Sequence, residues 1–127
     1  MCKLLPKQKK WFFLYYYHNI AIMDPIYKSC GSYIVTMSLL PDSITNENRS
    51  GIVDPLYAKY RANKVLVIDI EHKITKEKVN EITNTFYKEK QINYTVNEIV
   101  EVPDYDTSID EVCAPGIHYF KTYEQAI

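Results

Sequence analysis

The segment Lys64–Glu71 has apolar side chains on both faces of an extended chain, with valines on one side and leucine and isoleucines on the other. β-Branched residues at this density favour a strand over a helix. A strand that is apolar on both faces needs cover on both sides. The segment therefore predicts a central strand of a covered β-sheet.

Three further segments predict strands beside it. Ser32–Leu40 is rich in β-branched and aromatic residues and stops before a proline. Ile92–Val102 alternates along its length, which is typical of a single strand with one buried face. Ile117–Phe120 follows a Pro-Gly turn and is long enough for a short strand. The sequence thus predicts a sheet of about four strands.

The apolar period changes in Thr75–Glu89. Val79, Ile82 and Phe86 recur at helical spacing, and lysines and glutamates fill the opposite face. Thr75 is a suitable N-cap because its hydroxyl can accept a backbone hydrogen bond from the first turn. We expect this segment to be the main helix and to cover the sheet.

Two shorter helices are also predicted. Asp54 can cap a helix that begins with Pro55 and runs through Ala62, since proline is well tolerated in a first turn. Thr122 can cap one further turn at the end of the sequence, where a helix this short is marginal.

These elements predict the α+β class, with a single small domain, a mixed and mostly antiparallel sheet of about four strands, and one main covering helix. A chain of 127 residues has the length for one hydrophobic core. We expect the domain to occupy residues 31–127. Its one-turn final helix suggests a domain that is shortened at its C-terminus.

Residues 1–30 are an N-terminal extension with three competing interpretations. A lysine-rich start precedes an apolar run over residues 11–23. The run is an extra strand packed on the domain, or a segment that lies at a membrane interface, or sequence ahead of a true translation start at Met23. At roughly 13 residues it is too short to span a bilayer, which takes about 20. We therefore expect no membrane partner.

Charge and cysteine content narrow the classes of partner. Fifteen basic and sixteen acidic residues give a net charge of −1, whereas a general nucleic-acid binder needs a basic surface to displace counterions. Three cysteines without framework spacing indicate free thiols in a reducing compartment. No cofactor motif is present in the sequence, and we expect no cofactor.

The segment 104–120 concentrates the reactive residue types. Cys113 and His118 are candidates for a nucleophile pair, because a nearby imidazole lowers the pKa of a thiol. Asp106 is the acidic candidate in the same segment. The three could also bind a metal ion, but zinc takes four ligands in compact pairs and the sequence has no such pair. We therefore expect no metal site.

A second interpretation of this segment is a ligand pocket. His118 and Tyr119 would form its wall, and Arg61 and Lys59 would bind the anionic part of a nucleotide or peptide. The simpler alternative is a strand that packs Tyr119 in the core and hydrogen-bonds or exposes His118.

Three motifs resemble a family. They are Tyr-Ala-Lys-Tyr-Arg-Ala-Asn-Lys-Val at 57–65, Asn-Glu-Ile-Val-Glu-Val-Pro-Asp-Tyr-Asp at 97–106, and Val-Cys-Ala-Pro-Gly-Ile-His-Tyr-Phe at 112–120, followed by Glu-Gln-Ala at 124–126. They resemble a module of unknown function from large, mimivirus-like DNA viruses of amoebae. A similar module follows pentapeptide-repeat arrays. The resemblance covers residues 31–127, and the family has glycine more often where this chain has Asn97.

The resemblance implies a giant-virus protein that acts in the host cytoplasm or the viral factory, or that is carried in the virion. It implies no activity and no catalytic residues. Without a catalytic constellation, we expect a non-enzymatic binding or adaptor module with a protein partner, and with a small-molecule ligand as a second possibility. The alternative is a small or degenerate enzyme built around Cys113 and His118, and the third is a structural component of the virion.

Overall fold

The β-branched segments of the chain pair into antiparallel sheets in the computed structural model, which describes residues 25–86, 90–110 and 114–127. These residues form eight strands, a short 3-10 helix at Pro55–Tyr57 and one α-helix. The elements are β1 (Ile26–Cys30), β2 (Tyr33–Leu39), β3 (Lys59–Ala62), β4 (Lys64–His72), β5 (Glu81–Phe86), β6 (Lys90–Thr95), β7 (Ile99–Glu101), β8 (Ile117–Phe120) and α1 (Tyr123–Ala126).

The main sheet has six strands in the order β3-β8-β1-β2-β4-β7, and β5 and β6 form a separate two-stranded hairpin. Every strand pair in both sheets is antiparallel. β1 lies inside the main sheet between β8 and β2. Residues 26–30, which precede the predicted domain start, therefore pair in the same sheet as the rest.

The strands predicted from apolar, β-branched segments are confirmed. Ser32–Leu40 contains β2, Lys64–Glu71 lies within β4, and Ile117–Phe120 is β8. β4 pairs with β2 on one side and with β7 on the other, and its valines are fully buried. The one-turn helix after Thr122 is also confirmed as α1, but the Thr122 hydroxyl makes no capping hydrogen bond to the backbone and donates instead to Gln125 Oε1.

The predicted α+β class is wrong, because the regular secondary structure of the described residues is mostly antiparallel β-strand and their one α-helix has four residues. The predicted helix Thr75–Glu89 contains β5 instead, and residues 87–89 lie outside the described part. The segment Ile-Thr-Asn-Thr-Phe has poor helix formers, and β6 supplies a partner along its whole length. Because the pairing depends on the segment that follows, residues 90–95, the spacing of three apolar residues within 75–89 could not reveal it.

The single strand predicted for Ile92–Val102 is also wrong, because two strands occupy it. The chain turns at Asn97, whose φ is 73°, and the Glu98 amide donates to the Thr95 carbonyl at 3.1 Å. Asparagine adopts the left-handed conformation more readily than most residues. The turn therefore interrupts a segment whose alternation continues on both sides of it.

The predicted helix Pro55–Ala62 has the right start and the wrong end. The Asp54 carboxylate accepts a hydrogen bond from the Leu56 amide at 3.0 Å, as expected of a cap. The helix stops after Tyr57, however, and residues 59–62 form β3, which pairs with β8. Partners 57 residues apart in sequence, such as Arg61 and His118, decide this segment in favour of a strand.

The core lies between one face of the main sheet and the β5–β6 hairpin. Tyr94 of β6 is fully buried there, and Ile82 and Ile92 of the hairpin pack against the same cluster. Burial of these side chains is the main stabilising contribution. None of the helices described is long and apolar enough to cross a membrane. The predictions for residues 11–23 and for a start at Met23 lie outside the described residues.

Candidate functional site

Arg61 is the charged residue at the centre of the predicted site, and it is fully buried. Its guanidinium donates to backbone carbonyls of the connection between β7 and β8. The acceptors are Asp106, Pro115 at 3.3 Å and Ser108 at 2.5 Å. The guanidinium carbon also lies 4.8 Å from the centre of the Tyr105 ring. Arg61 thus holds residues 106–108 and 115 of this connection against the sheet.

Gly116 makes this close packing possible. Its φ of 155° lies in a region that favours glycine, and a Cβ added there would be 3.0 Å from Tyr105 Cδ1 and 3.2 Å from Arg61 Cβ. The Pro-Gly pair noted in the sequence is therefore the point where the connection meets Arg61.

The other predicted pocket residues lie on β3 and β8. Arg61 is directly opposite His118, and Lys59 is opposite Phe120. Tyr119 points to the opposite face of β8 from His118, because neighbouring strand residues alternate. It is fully buried and its hydroxyl donates to the Glu47 carboxylate. Burial is the largest cause that raises the pKa of Tyr119, and this hydrogen bond is the second largest. The structure thus brings Arg61 and His118 together and separates Tyr119 from them.

The predicted nucleophile site is described only in part. Cys113 lies outside the described residues, so its pairing with His118 stays a prediction. Asp106 accepts a hydrogen bond from the Ser108 amide at 2.8 Å, and this bond lowers the pKa of the Asp106 carboxyl group. Across the described ranges, no group of three or more His, Cys, Asp or Glu side chains could hold a metal ion.

A groove of about 630 Å³ opens between β6 and β7. β7 and β3 are the two edge strands of the main sheet, so the groove lies at the opposite edge of the sheet from β3. It is lined by residues 91–93 and 99–104. Ile92, Val100 and Val102 belong to the hydrophobic core, so the groove has an apolar floor. The two strands leave a common turn at residues 95–98, but β6 pairs with β5 and β7 pairs with β4.

The β7 wall of the groove presents unpaired backbone groups. The Glu98 carbonyl accepts from Val67, and the Val102 amide donates to Asn63. Alternate residues of an antiparallel strand bond to the same neighbour, so Ile99 and Glu101 direct their N–H and C=O groups away from β4. Within the described residues, no backbone partner for these two residues is found on that side.

The β6 wall has the same character. The Val96 amide donates to the Asn80 carbonyl at 2.9 Å, so the ladder with β5 continues through Tyr94 and Ile92. The backbone groups of Gln91 and Asn93 therefore point away from β5 and into the groove. Two strand edges face one cavity, an arrangement that a single extended segment can bridge.

The groove residues were not among the predicted site residues. The signal that could have found them was Asn97, in the middle of the alternating segment 92–102, because asparagine is a residue that favours turns. A turn there converts one predicted strand into two, and two short strands leave edges.

The sequence matches a family of unknown function, DUF5758, over residues 17–126. The chain belongs to DUF5758. This confirms the prediction that it is a member of an uncharacterised family. No curated protein and no solved structure matches the chain at a significant level. For this DUF5758 chain, function therefore has to be argued from its own geometry.

Proposed function

We propose that this DUF5758 chain is a non-enzymatic binding module that captures an extended segment of a protein partner in the groove between β6 and β7. The observation that supports it is the pair of unpaired strand edges, at 91–93 and 99–101, facing an apolar floor. Strand addition supplies affinity through main-chain hydrogen bonds and specificity through alternate side chains. Exposed strand edges are otherwise a liability that proteins tend to cover.

The biological setting belongs to the same proposal. The motifs at 57–65, 97–106 and 112–120 support a giant-virus, mimivirus-like origin and a relation to modules that follow pentapeptide-repeat arrays. We accordingly propose that the chain binds its partner in the host cytoplasm or the viral factory. The enzymatic alternative at Cys113 and His118 and the role in the virion stay predictions.

A pair of variants at Asn93 tests the binding mode. Asn93→Pro removes the backbone N–H that faces the groove, and proline is tolerated at a strand edge because that N–H is not part of the β5 ladder. Asn93→Ala keeps the N–H. Both lose the side-chain hydrogen bond in which Thr83 Oγ1 donates to Asn93 Oδ1 at 2.7 Å. The pair therefore differs mainly at the edge donor.

The experiment is selection of a phage-displayed random peptide library on the full chain, followed by affinity measurement on both variants. We expect selected peptides to bind wild type and Asn93→Ala alike and to bind Asn93→Pro at least about tenfold more weakly, as for loss of a buried main-chain bond. Circular dichroism checks that each variant is folded. Peptides that bind all three proteins equally well would contradict strand addition in this groove.

A further inference from the structure

We infer that the segment captured in the groove is basic on one side and apolar on the other. This inference rests on the proposed function and concerns the chemistry of the partner. It follows from which side chains line the groove and on which face of the sheet each one lies.

The charged side chains that line the groove are acidic. Glu101 and Asp104 are among residues 91–93 and 99–104, and none of these residues is basic. Glu101 is solvent-exposed, and the residue opposite it on β4 is Lys64. The Lys64 ammonium lies 2.8 Å from the Asp42 carboxylate. Asp42, Glu101 and Asp104 together outnumber Lys64, so the open edge of β7 carries a net negative charge.

The two faces of β7 differ. Val100 and Val102 face the core, while Glu101 lies on the opposite face because strand side chains alternate. A strand added beside β7 alternates in the same way. Its residues on the core side would cover the apolar floor, and those on the other side would lie beside Glu101. Opposite charges on neighbouring strands attract, and like charges in the same positions repel.

The fitting partner is therefore an extended segment in which apolar residues alternate with lysine or arginine. The floor selects the apolar positions by burial, and Glu101 selects the basic ones by charge. A segment that alternates apolar and acidic residues would form the same main-chain bonds but would meet Glu101 with a like charge.

The test uses two labelled peptides of about eight residues, a length suited to one strand, with blocked ends. One alternates valine with lysine, and the other alternates valine with glutamate. Binding to the full chain is measured by fluorescence polarisation at low and high salt. The matched variants are Glu101→Lys and Glu98→Lys, since Glu98 is an exposed acid close by that does not line the groove.

We expect the lysine peptide to bind at least about fivefold more tightly than the glutamate peptide, with a smaller difference at high salt. Glu101→Lys should abolish or reverse this preference, and Glu98→Lys should leave it within about twofold of wild type. Equal binding of both peptides, with both weakened by Asn93→Pro, would overturn the basic partner but leave strand addition standing. Binding of neither peptide, or binding that ignores Asn93→Pro, would overturn both.

Measurements on the protein without peptide show whether a second copy or the chain's own residues already fill the groove. Amide hydrogen exchange at Asn93 and Ile99 is expected to be fast without peptide, because their N–H groups face solvent in the groove. Slow exchange at both would overturn the inference by showing a groove that is already filled. Sedimentation of wild type and Asn93→Pro then tells whether a second copy or the chain's own residues fill it.

Discussion

Lys28 is a charged residue with apolar neighbours on its strand. It lies on the core face of β1 between Ile26 and Cys30, and 7% of its surface is exposed. Its Nζ donates a hydrogen bond to the His118 carbonyl at 3.1 Å. Burial lowers the pKa of Lys28, because removal of the ammonium from water disfavours the charged form.

Replacement of Lys28 by methionine is expected to stabilise the protein by about 1 kcal/mol at neutral pH, since a buried charge gives way to an apolar side chain of similar length. The gain should shrink as the pH rises toward about 10.4, the pKa of lysine in an unfolded chain. In that window the unfolded wild type binds more protons than the folded protein, so raising the pH stabilises wild type and not the variant.

Urea unfolding of both proteins at neutral and at alkaline pH measures this difference. Lys59→Arg is the control, because Lys59 is exposed and the change keeps the positive charge that acts on Lys28, so the free energy of unfolding should change by less than about 0.5 kcal/mol. A stability gain that stays constant with pH would contradict a lowered pKa as its cause.

At the scale of elements, one side chain and one glycine help to position the connection between β7 and β8. The Arg61 guanidinium donates to backbone carbonyls near the start of the connection, at residues 106 and 108, and near its end, at residue 115. Gly116 lies where the connection meets Arg61. The described residues of the connection belong to no strand, and contacts of a buried side chain help to hold them in place.

Gly116→Ala is expected to destabilise the protein by about 1–3 kcal/mol, because a strained φ is combined with a close contact to Tyr105. Gly31→Ala is the matched control, since Gly31 also has a positive φ of 60° but has no neighbour within 4 Å of an added Cβ among the described residues. Chemical denaturation of both variants gives the comparison. If both variants lost the same free energy of unfolding, the contact with Tyr105 would add nothing to the cost of the backbone strain.

At the scale of the whole molecule, the six-stranded sheet and the hairpin share one core. Tyr94 of the hairpin is fully buried in the same cluster as residues of the main sheet. Its hydroxyl has no hydrogen-bond partner in the described part of the chain. The ring therefore contributes through packing, while the buried hydroxyl detracts from stability.

Two variants of Tyr94 test whether both sheets unfold together. Tyr94→Ala is expected to lower the free energy of unfolding by about 3–5 kcal/mol, because it leaves a cavity in a shared core. Tyr94→Phe should be neutral or slightly stabilising, since only the unpartnered hydroxyl is lost. Thermal unfolding followed by circular dichroism and by tyrosine fluorescence should give one coincident transition. Two separate transitions would mean that the hairpin is an independent unit.

The amino-acid sequence by itself determined the local features of this protein. β2, β4 and β8 follow from β-branched, apolar segments, and the cap at Asp54 and the one-turn helix after Thr122 follow from residue chemistry within one turn. The motifs also determined membership of an uncharacterised family. For the strands, the cap and the helix, the deciding interactions lie within a few neighbouring residues.

The tertiary structure alone decided the mostly antiparallel β architecture of the described residues and the candidate groove. β3 and β5 become strands because partners far away or across a turn pair with them, and pairing of that kind outweighs local helical signals. Arg61 was predicted as an anion partner, but its buried donors bind the chain's own carbonyls. The groove exists because β6 and β7 leave Asn97 toward different partners. The sequence therefore predicted some of the extended segments, among them β2, β4 and β8, and the pairing between strands decided the others and which edges stay open.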